Sequence, residues 1–211
     1  MTEEKKSLLF DIGANIGRWT IENYNIHNKI VCVEASESTY KILCNNVKNY
    51  QDVIPLNYAV CDSKDKFIKF YHCNADTLST INKEWLTSEK SRFFNQKYHE
   101  TVSPVISIDD LIKIYGTPEL IKIDVEGGEF NCVKSLTSKV PMLCFEWASE
   151  LNEVTFNCLD YLSSIGFENF HLQFQDSYKY RPEKFELNIS QIKDLLNLTK
   201  PKIDWGMIWC K

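Results

Sequence analysis

Residues 8–17 read Leu-Leu-Phe-Asp-Ile-Gly-Ala-Asn-Ile-Gly, and this stretch decides the fold of the 211-residue chain. A short apolar run ends at Asp11, and Gly13 and Gly17 follow before residues with helical spacing begin. An apolar run stopped by glycine indicates a buried strand that turns tightly into a helix. The glycines let the backbone approach a ligand, and the helix N-terminus offers unpaired N–H groups. The stretch therefore predicts a ligand-binding strand–turn–helix unit.

The spacing of this turn indicates the kind of ligand. A dinucleotide site has the pattern G-x-G-x-x-G, whereas Gly13 and Gly17 form G-x-x-x-G with Asp11 two residues before the first glycine. An acidic side chain suits a ligand that carries an ammonium group and is unfavourable beside a pyrophosphate. The turn therefore favours S-adenosylmethionine over NAD as the cofactor.

Strand-like and helix-like segments alternate through the rest of the chain. Short apolar strands that alternate with helices predict an α/β fold of parallel β-α-β units, with an open sheet covered on both faces. Such sheets bind ligands beyond the carboxyl ends of their strands. The predicted strands lie at 7–13, 29–35, 53–62, 66–73, 120–128, 141–147, 169–175 and 205–211, and the predicted helices at 16–26, 36–50, 107–116, 129–139 and 153–167.

Acidic residues end the second and third predicted strands. Glu34 lies roughly 20 residues beyond the glycine turn, where a carboxylate can accept hydrogen bonds from both ribose hydroxyls. Because NAD sites use the same arrangement, Glu34 indicates a nucleoside without choosing between cofactors. Asp62 ends the third strand and can receive the adenine amino group, with Val60 and Cys61 lining the ring.

A fourth group of acids lies in residues 121–129, Ile-Lys-Ile-Asp-Val-Glu-Gly-Gly-Glu. Asp124 and Glu126 share a strand face if the strand continues that far. Clustered acids at the end of a strand are unfavourable unless they bind something. An alternative for Glu126 and Glu129 is that they only stabilise the positive end of the next helix.

The blocks at 11–20, 33–46, 57–62 and 121–130 occur in an order that resembles the FkbM-type methyltransferase family, from about residue 8 to residue 147. The resemblance implies a class I methyltransferase fold, a Rossmann-like, seven-stranded and mostly parallel sheet with helices on both faces. It also implies S-adenosylmethionine as cofactor and O-methylation of a hydroxyl on a sugar, a glycan or another small molecule.

The resemblance assigns roles to individual residues. The methionine portion of the cofactor would be held by Asp11, Gly13, Ala14, Asn15 and Gly17. The ribose would be held by Glu34 beside Ala35, and the adenine by Val60, Cys61 and Asp62. Asp124 would lie beside the reactive methyl group.

An alcohol acceptor needs a base to take its proton. Asp124 is the first candidate, and Glu126 and Glu146 follow it as further catalytic residues. Asp124 and Glu146 together could instead hold a divalent ion, but two carboxylates make a weak site, and we predict no metal.

The remaining features bound the domain and its partners. We expect one domain over residues 1–211, with a lid-like insertion at about 74–104 whose aromatic residues could stack on a sugar. The formal net charge of −5 and the absence of a basic stripe argue against nucleic acid as partner. Because we find no signal peptide, no apolar run of ~18 residues and no C-x-x-C pair, we expect no membrane insertion, free thiols and a cytoplasmic location.

Two other functions stay open at this point. One is an NAD-dependent oxidoreductase, since Glu34 suits either cofactor. The other is a catalytically inactive methyltransferase-fold binding module, since the cofactor motifs alone do not prove turnover.

Overall fold

A computed structural model describes residues 6–26, 28–73 and 78–211. The first four of the residues assigned to the lid-like insertion, 74–77, therefore lie outside the described residues. The strands are β1 (Ser7–Ile12), β2 (Asn28–Val33), β3 (Val53–Leu56), β4 (Ala59–Val60), β5 (Phe67–Cys73), β6 (Tyr98–Ile106), β7 (Leu120–Ile123), β8 (Leu143–Ala148), β9 (Phe170–Phe174) and β10 (Trp205–Cys210). The helices are α1 (Arg18–Asn23), α2 (Glu37–Val47), α3 (Glu84–Thr87), α4 (Ile108–Tyr115), α5 (Glu129–Val133), α6 (Asn152–Ser164) and α7 (Ile189–Asn197).

A seven-stranded sheet with the order β3-β2-β1-β7-β8-β10-β9 forms the centre of the chain. The five strands from β3 to β8 run parallel, whereas β10 is antiparallel to both of its neighbours, β8 and β9. The predicted seven-stranded, mostly parallel sheet is therefore confirmed. The carboxyl ends of β1, β2, β7 and β8 meet at one edge, where we expected the ligand site.

Apolar side chains cover both faces of this sheet, because successive residues of a strand point to opposite faces. On one face Phe10, Ile121 and Phe145 are fully buried together with residues of α4, α5, α6 and α7. On the other face Leu9 and Met207 pack with Trp19 of α1. Because both faces are covered, a polar side chain that points from the sheet into either layer needs a partner.

Four of the cysteines lie in these apolar layers, namely Cys132, Cys144, Cys158 and Cys210. All the cysteines of the chain are free thiols, and Cys44 alone is half-buried while the others are buried. The expectation of free thiols agrees with this structure.

The third predicted strand, 53–62, is wrong as a continuous element. It breaks after Leu56, and β4 leaves the central sheet to pair with β6. The fourth predicted strand, 66–73, does form as β5, but it pairs antiparallel with β6 in a separate sheet of order β4-β6-β5. The lid-like insertion is thus partly regular, because it contains α3 and most of β6.

The other helices and strands agree with the predicted pattern, with α7 as an addition. The side chain of Asn188 accepts a hydrogen bond from the backbone of Gln191, and the Gln191 side chain accepts one from the Asn188 backbone. This capping box starts α7. Within the described ranges, none of the helices is both long and apolar enough to cross a bilayer.

Candidate active site

The turn after β1 passes directly over the end of β7. Gly13 has a φ of 74°, and a Cβ atom there would lie 1.7 Å from the backbone oxygen of Asp124. Gly17 has a φ of 89°, and a Cβ atom there would lie 2.8 Å from Leu43. Only glycine fits at such contacts with positive φ. The glycine turn is therefore packed closely against Asp124 and Leu43.

Glu34 fixes the shape of this turn from the end of β2. Its Oε2 accepts a hydrogen bond of 2.9 Å from the backbone N–H of Asn15, and its Oε1 accepts one of 2.8 Å from Ser36. The side chain is 8% exposed. Burial raises the pKa of Glu34 to about 7, against the opposing effect of the two backbone N–H groups. Each oxygen keeps a further lone pair for a ligand hydroxyl.

Asp11 does not face the cavity of the site but lies beneath it. It is fully buried, accepts a hydrogen bond of 2.6 Å from Thr20 and lies 3.3 Å from the ammonium nitrogen of Lys122. The same nitrogen lies 3.2 Å from Asp124 Oδ2 and donates to the Gly13 oxygen over 3.2 Å. Burial lowers the pKa of Lys122, but Asp124 and Asp11 outweigh burial and hold it above its usual value.

The acidic turn after β7 is held in an unusual backbone conformation. Glu126 has a φ of 54°, which is uncommon for a residue with a side chain. Glu129 is buried and accepts backbone hydrogen bonds from Val125 at 3.2 Å and from Gly127 at 3.1 Å. Glu129 therefore shapes the turn from below, and its burial raises its pKa to about 7. These contacts agree with the alternative that Glu129 has a structural role.

The lid-like insertion contacts this turn directly. Trp85 donates from Nε1 to Glu126 over 3.2 Å, and Asn82 donates from its amide to the oxygen of Gly127 over 2.9 Å. A Cβ atom on Gly128 would lie 2.9 Å from Ile81. The insertion therefore packs on the acidic turn.

The three predicted catalytic carboxylates come together. One oxygen each of Asp124, Glu126 and Glu146 lies within 4.8 Å of the others. Burial and the neighbouring Asp124 raise the pKa of both Glu126 and Glu146 well above the usual value. Oxygen atoms at this spacing can hold a divalent ion, although such ions prefer six or more ligands. The arrangement can equally hold protons or an organic cation.

Two cavities meet at these carboxylates. The first has a volume of about 400 Å³ and runs from the glycine turn past Glu34 towards the small sheet. The second, of about 780 Å³, opens on the other side of the acidic turn. Asp124, Glu126 and Tyr178 line both cavities. A ligand in one cavity can therefore meet a ligand in the other at Asp124.

Most of the predicted cofactor residues line the first cavity, which includes Gly13, Ala14, Asn15, Glu34, Ala35 and Val60. Gly17 is buried behind the turn. Cys61 and Asp62 lie outside the lining, and the Asp62 carboxylate pairs with Lys134 at 2.7 Å. The role of Asp62 at the adenine ring therefore stays a prediction that its position does not support.

Sequence reasoning missed several residues of the site. Lys122 is a lysine inside an apolar strand, which is a signal for a buried charge with a partner. Arg18, Tyr58 and Phe70 line the first cavity and Asp176 lines the second. Arg18 and Tyr58 lie inside the blocks at 11–20 and 57–62 but carry no separate signal, whereas Phe70 and Asp176 lie outside all four blocks.

The sequence model described as "Methyltransferase FkbM domain" matches residues 11–181. No curated protein matches the chain significantly. The matched range contains both glycines of the turn and all three carboxylates, as well as Tyr178.

Solved structures are similar to the whole chain at low identity. A precorrin-8w decarboxylase of Methanobacterium thermoautotrophicum has a TM-score of 0.51 and 9% identity, over 98% of this chain and 82% of that one. A precorrin-6y C5,15-methyltransferase of Geobacter metallireducens has a TM-score of 0.46 and 12% identity, over 99% of this chain and 82% of that one. An O-methyltransferase of Bacillus cereus, solved with SAH, has a TM-score of 0.45 and 11% identity, over 98% of this chain and 74% of that one. The first of these, with the observed strand order, confirms the predicted class I methyltransferase fold.

Replacing Gly13 by alanine should lower the free energy of unfolding by more than about 4 kcal/mol, because the new methyl group collides with a backbone oxygen. Gly166→Ala is the matched control: its φ of 104° is also positive, but the nearest atom would be 3.6 Å away. Strain alone should cost that variant about 1–2 kcal/mol. Urea unfolding followed by circular dichroism measures both, and equal losses would contradict the close contact.

The stability of the protein without ligand should fall as the pH rises from 5 to 8. Folding raises the pKa of Glu34 from 4.5 to about 7. The stability that Glu34 contributes is therefore fully present below pH 4.5 and is lost as the pH rises through about 7. The loss is on the order of 3 kcal/mol for this group, and Glu129 acts in the same direction. Across this pH range the Tm of Glu34→Gln should fall less than that of the wild-type protein. An identical fall in both proteins would exclude Glu34 as a cause of the pH dependence.

Proposed function

The chain belongs to the FkbM methyltransferase family, and from that premise we propose that it methylates a hydroxyl of a sugar, a glycan or another small molecule. S-adenosylmethionine is its methyl donor. The observation that carries the proposal is the position of Asp124, whose carboxylate lies where the two cavities meet. There it can face a donor on one side and an acceptor hydroxyl on the other.

The first cavity fits an adenosine at one end. Tyr58, Val60 and Phe70 offer apolar surface to a base, and Glu34 lies between this end and the glycine turn. A ribose that donates both hydroxyls to Glu34 would use the lone pairs that Asn15 and Ser36 leave free. The cavity of about 400 Å³ lies within the size range of small-molecule sites.

The other end of the cavity fits the amino-acid portion of the cofactor. Arg18 lines this end, is exposed and has no ion-pair or hydrogen-bond partner among the described residues. Lys122, the second cation of the lining, is already shared by Asp11 and Asp124. Arg18 is therefore the group that would bind the cofactor carboxylate, and Asp124 lies on the side of the ammonium and sulfonium groups.

The bound cofactor supplies a methyl group on a positively charged sulfur, which leaves as a neutral thioether when the methyl group passes to oxygen. The acceptor hydroxyl has to lose its proton as its oxygen forms the new bond. Asp124 is the base in this proposal, and its Oδ2 lies 3.2 Å from the ammonium nitrogen of Lys122. Glu126 and Glu146, within 4.8 Å, can pass the proton towards the second cavity.

Titration calorimetry with S-adenosylhomocysteine tests the cofactor site. We expect one-site binding to the wild-type protein and at least 10-fold weaker binding to Glu34→Ala, because the ribose loses two acceptors. Arg18→Ala should also weaken S-adenosylhomocysteine about 10-fold but leave 5′-methylthioadenosine unaffected, since that ligand has no carboxylate.

Glu37→Ala is the control for Glu34→Ala, because Glu37 is exposed on α2 and pairs with Lys41. Failure of the wild-type protein to bind S-adenosylhomocysteine would overturn the assigned site. Equal effects of Arg18→Ala on the two ligands would show that Arg18 does not bind the cofactor carboxylate.

Replacing Asp124 by asparagine tests the base. The variant should bind S-adenosylhomocysteine within about 3-fold of wild type and lose at least about 100-fold in turnover, the usual contribution of a general base. Release of S-adenosylhomocysteine over a panel of sugar and glycan acceptors measures turnover. Full activity would exclude Asp124, and tight cofactor binding without any methyl transfer would indicate a binding module.

A further inference from the structure

The second cavity has a charge that constrains its ligand. It is lined by four carboxylate side chains, those of Asp124, Glu126, Glu146 and Asp176. Arg92 is the single cation among the described residues that line it. If the proposed function holds, this cavity receives the acceptor, because it meets the cofactor cavity at Asp124.

The nearby cations are already engaged elsewhere. Arg92 binds Glu150 through two hydrogen bonds of 2.5 and 2.7 Å and also donates to the backbone oxygen of Asp204. The Glu150 side chain is 2% exposed, so the pair is neutral and fixed. Lys122 is shared by Asp11 and Asp124. Of the four carboxylates only Asp124 is paired with a lysine, whereas Glu126, Glu146 and Asp176 face the cavity without an ion-pair partner among the described residues.

Aromatic side chains form the walls around these acids. Trp85, Phe93, Tyr178 and Trp205 line the cavity, and the rings of Trp85 and Phe93 pack edge-to-face at 5.1 Å. Trp85 is also held by its hydrogen bond to Glu126. Fixed aromatic faces beside carboxylates bind the alkyl surface of a ligand and, above all, an ammonium group, which is attracted by both.

We propose that the acceptor carries a protonated amine close to the hydroxyl that is methylated, as an amino sugar or an amino alcohol does. The amine would bind among Glu146, Asp176 and the aromatic walls, and the hydroxyl would face Asp124. This inference rests on the proposed function and narrows its substrate class.

Charge balance favours such a ligand over a neutral sugar. A neutral polyol can donate hydrogen bonds to carboxylates but leaves their mutual repulsion in place. The cofactor brings one net positive charge, which lies on the other side of Asp124. Burial raises the pKa of Asp176 as well as that of Glu146, and a cationic ligand beside them would favour their charged forms.

Matched probes test the proposal on the complete protein saturated with S-adenosylhomocysteine. Calorimetry compares glucosamine with N-acetylglucosamine, and ethanolamine with ethylene glycol, so that each pair differs in the charged amine. We expect each amine to bind at least 10-fold more tightly than its uncharged partner. Asp176→Asn should weaken both amines at least 5-fold and leave S-adenosylhomocysteine unaffected, which also shows that the variant is folded.

The control variant is Glu168→Gln, an exposed acid outside both cavities, which should change nothing. Equal affinity within each pair would overturn the proposal, as would a complex with S-adenosylhomocysteine that binds neither amine. Tighter binding of Mg²⁺ than of either amine would overturn it too and assign the carboxylates to an ion. Lack of S-adenosylhomocysteine binding is a separate result, because it contradicts the proposed function itself.

Discussion

The ammonium group of Lys122 is the interaction on which the site depends. Lys122 is 3% exposed, and a charge so deeply buried costs several kcal/mol unless it is paired. The pairing of β1 with β7 places Asp11 opposite Lys122 in register, and Asp124 follows two residues later on the same face. The end of β1 and the end of β7 are therefore joined by a shared charge, and neither end can move away without exposing an unpaired group.

The other contacts of the site extend this link. Gly13 lies against the backbone oxygen of Asp124, so the glycine turn follows the position of the acidic turn. Asn82 and Trp85 attach the insertion to the same acidic turn. Three segments that are distant in the chain thus meet around Asp124. The first and the second cavity share this boundary, so a ligand in one cavity would lie close to a ligand in the other.

Residues at strand ends could be predicted from the sequence, and residues brought in from elsewhere could not. Glu34 and Asp124 follow apolar runs, so the periodicity alone places them at the carboxyl edge of the sheet. The second sheet was missed because most residues at the start of β6 are exposed, and such a strand lacks an apolar pattern. Asp62 was placed at the cavity because a strand through 62 was assumed, whereas the chain leaves the sheet after Leu56. A lysine inside an apolar strand marked Lys122 as a buried charge. Its partner Asp11 could not be predicted, because the contact depends on β1 lying next to β7 in the sheet.

The insertion of β10 between β8 and β9 has a consequence for the order of folding. In the described part of the central sheet, β9 has β10 as its ladder partner on one side only, so it cannot join the sheet before β10 is in place. β10 in turn pairs with β8, which ends at Ala148, long before β10 begins at Trp205. Contacts of such long range form slowly. The parallel strands from β3 to β8 can assemble first, so a transient intermediate would expose the flank of β8, where chaperone binding or aggregation would compete with completion of the sheet.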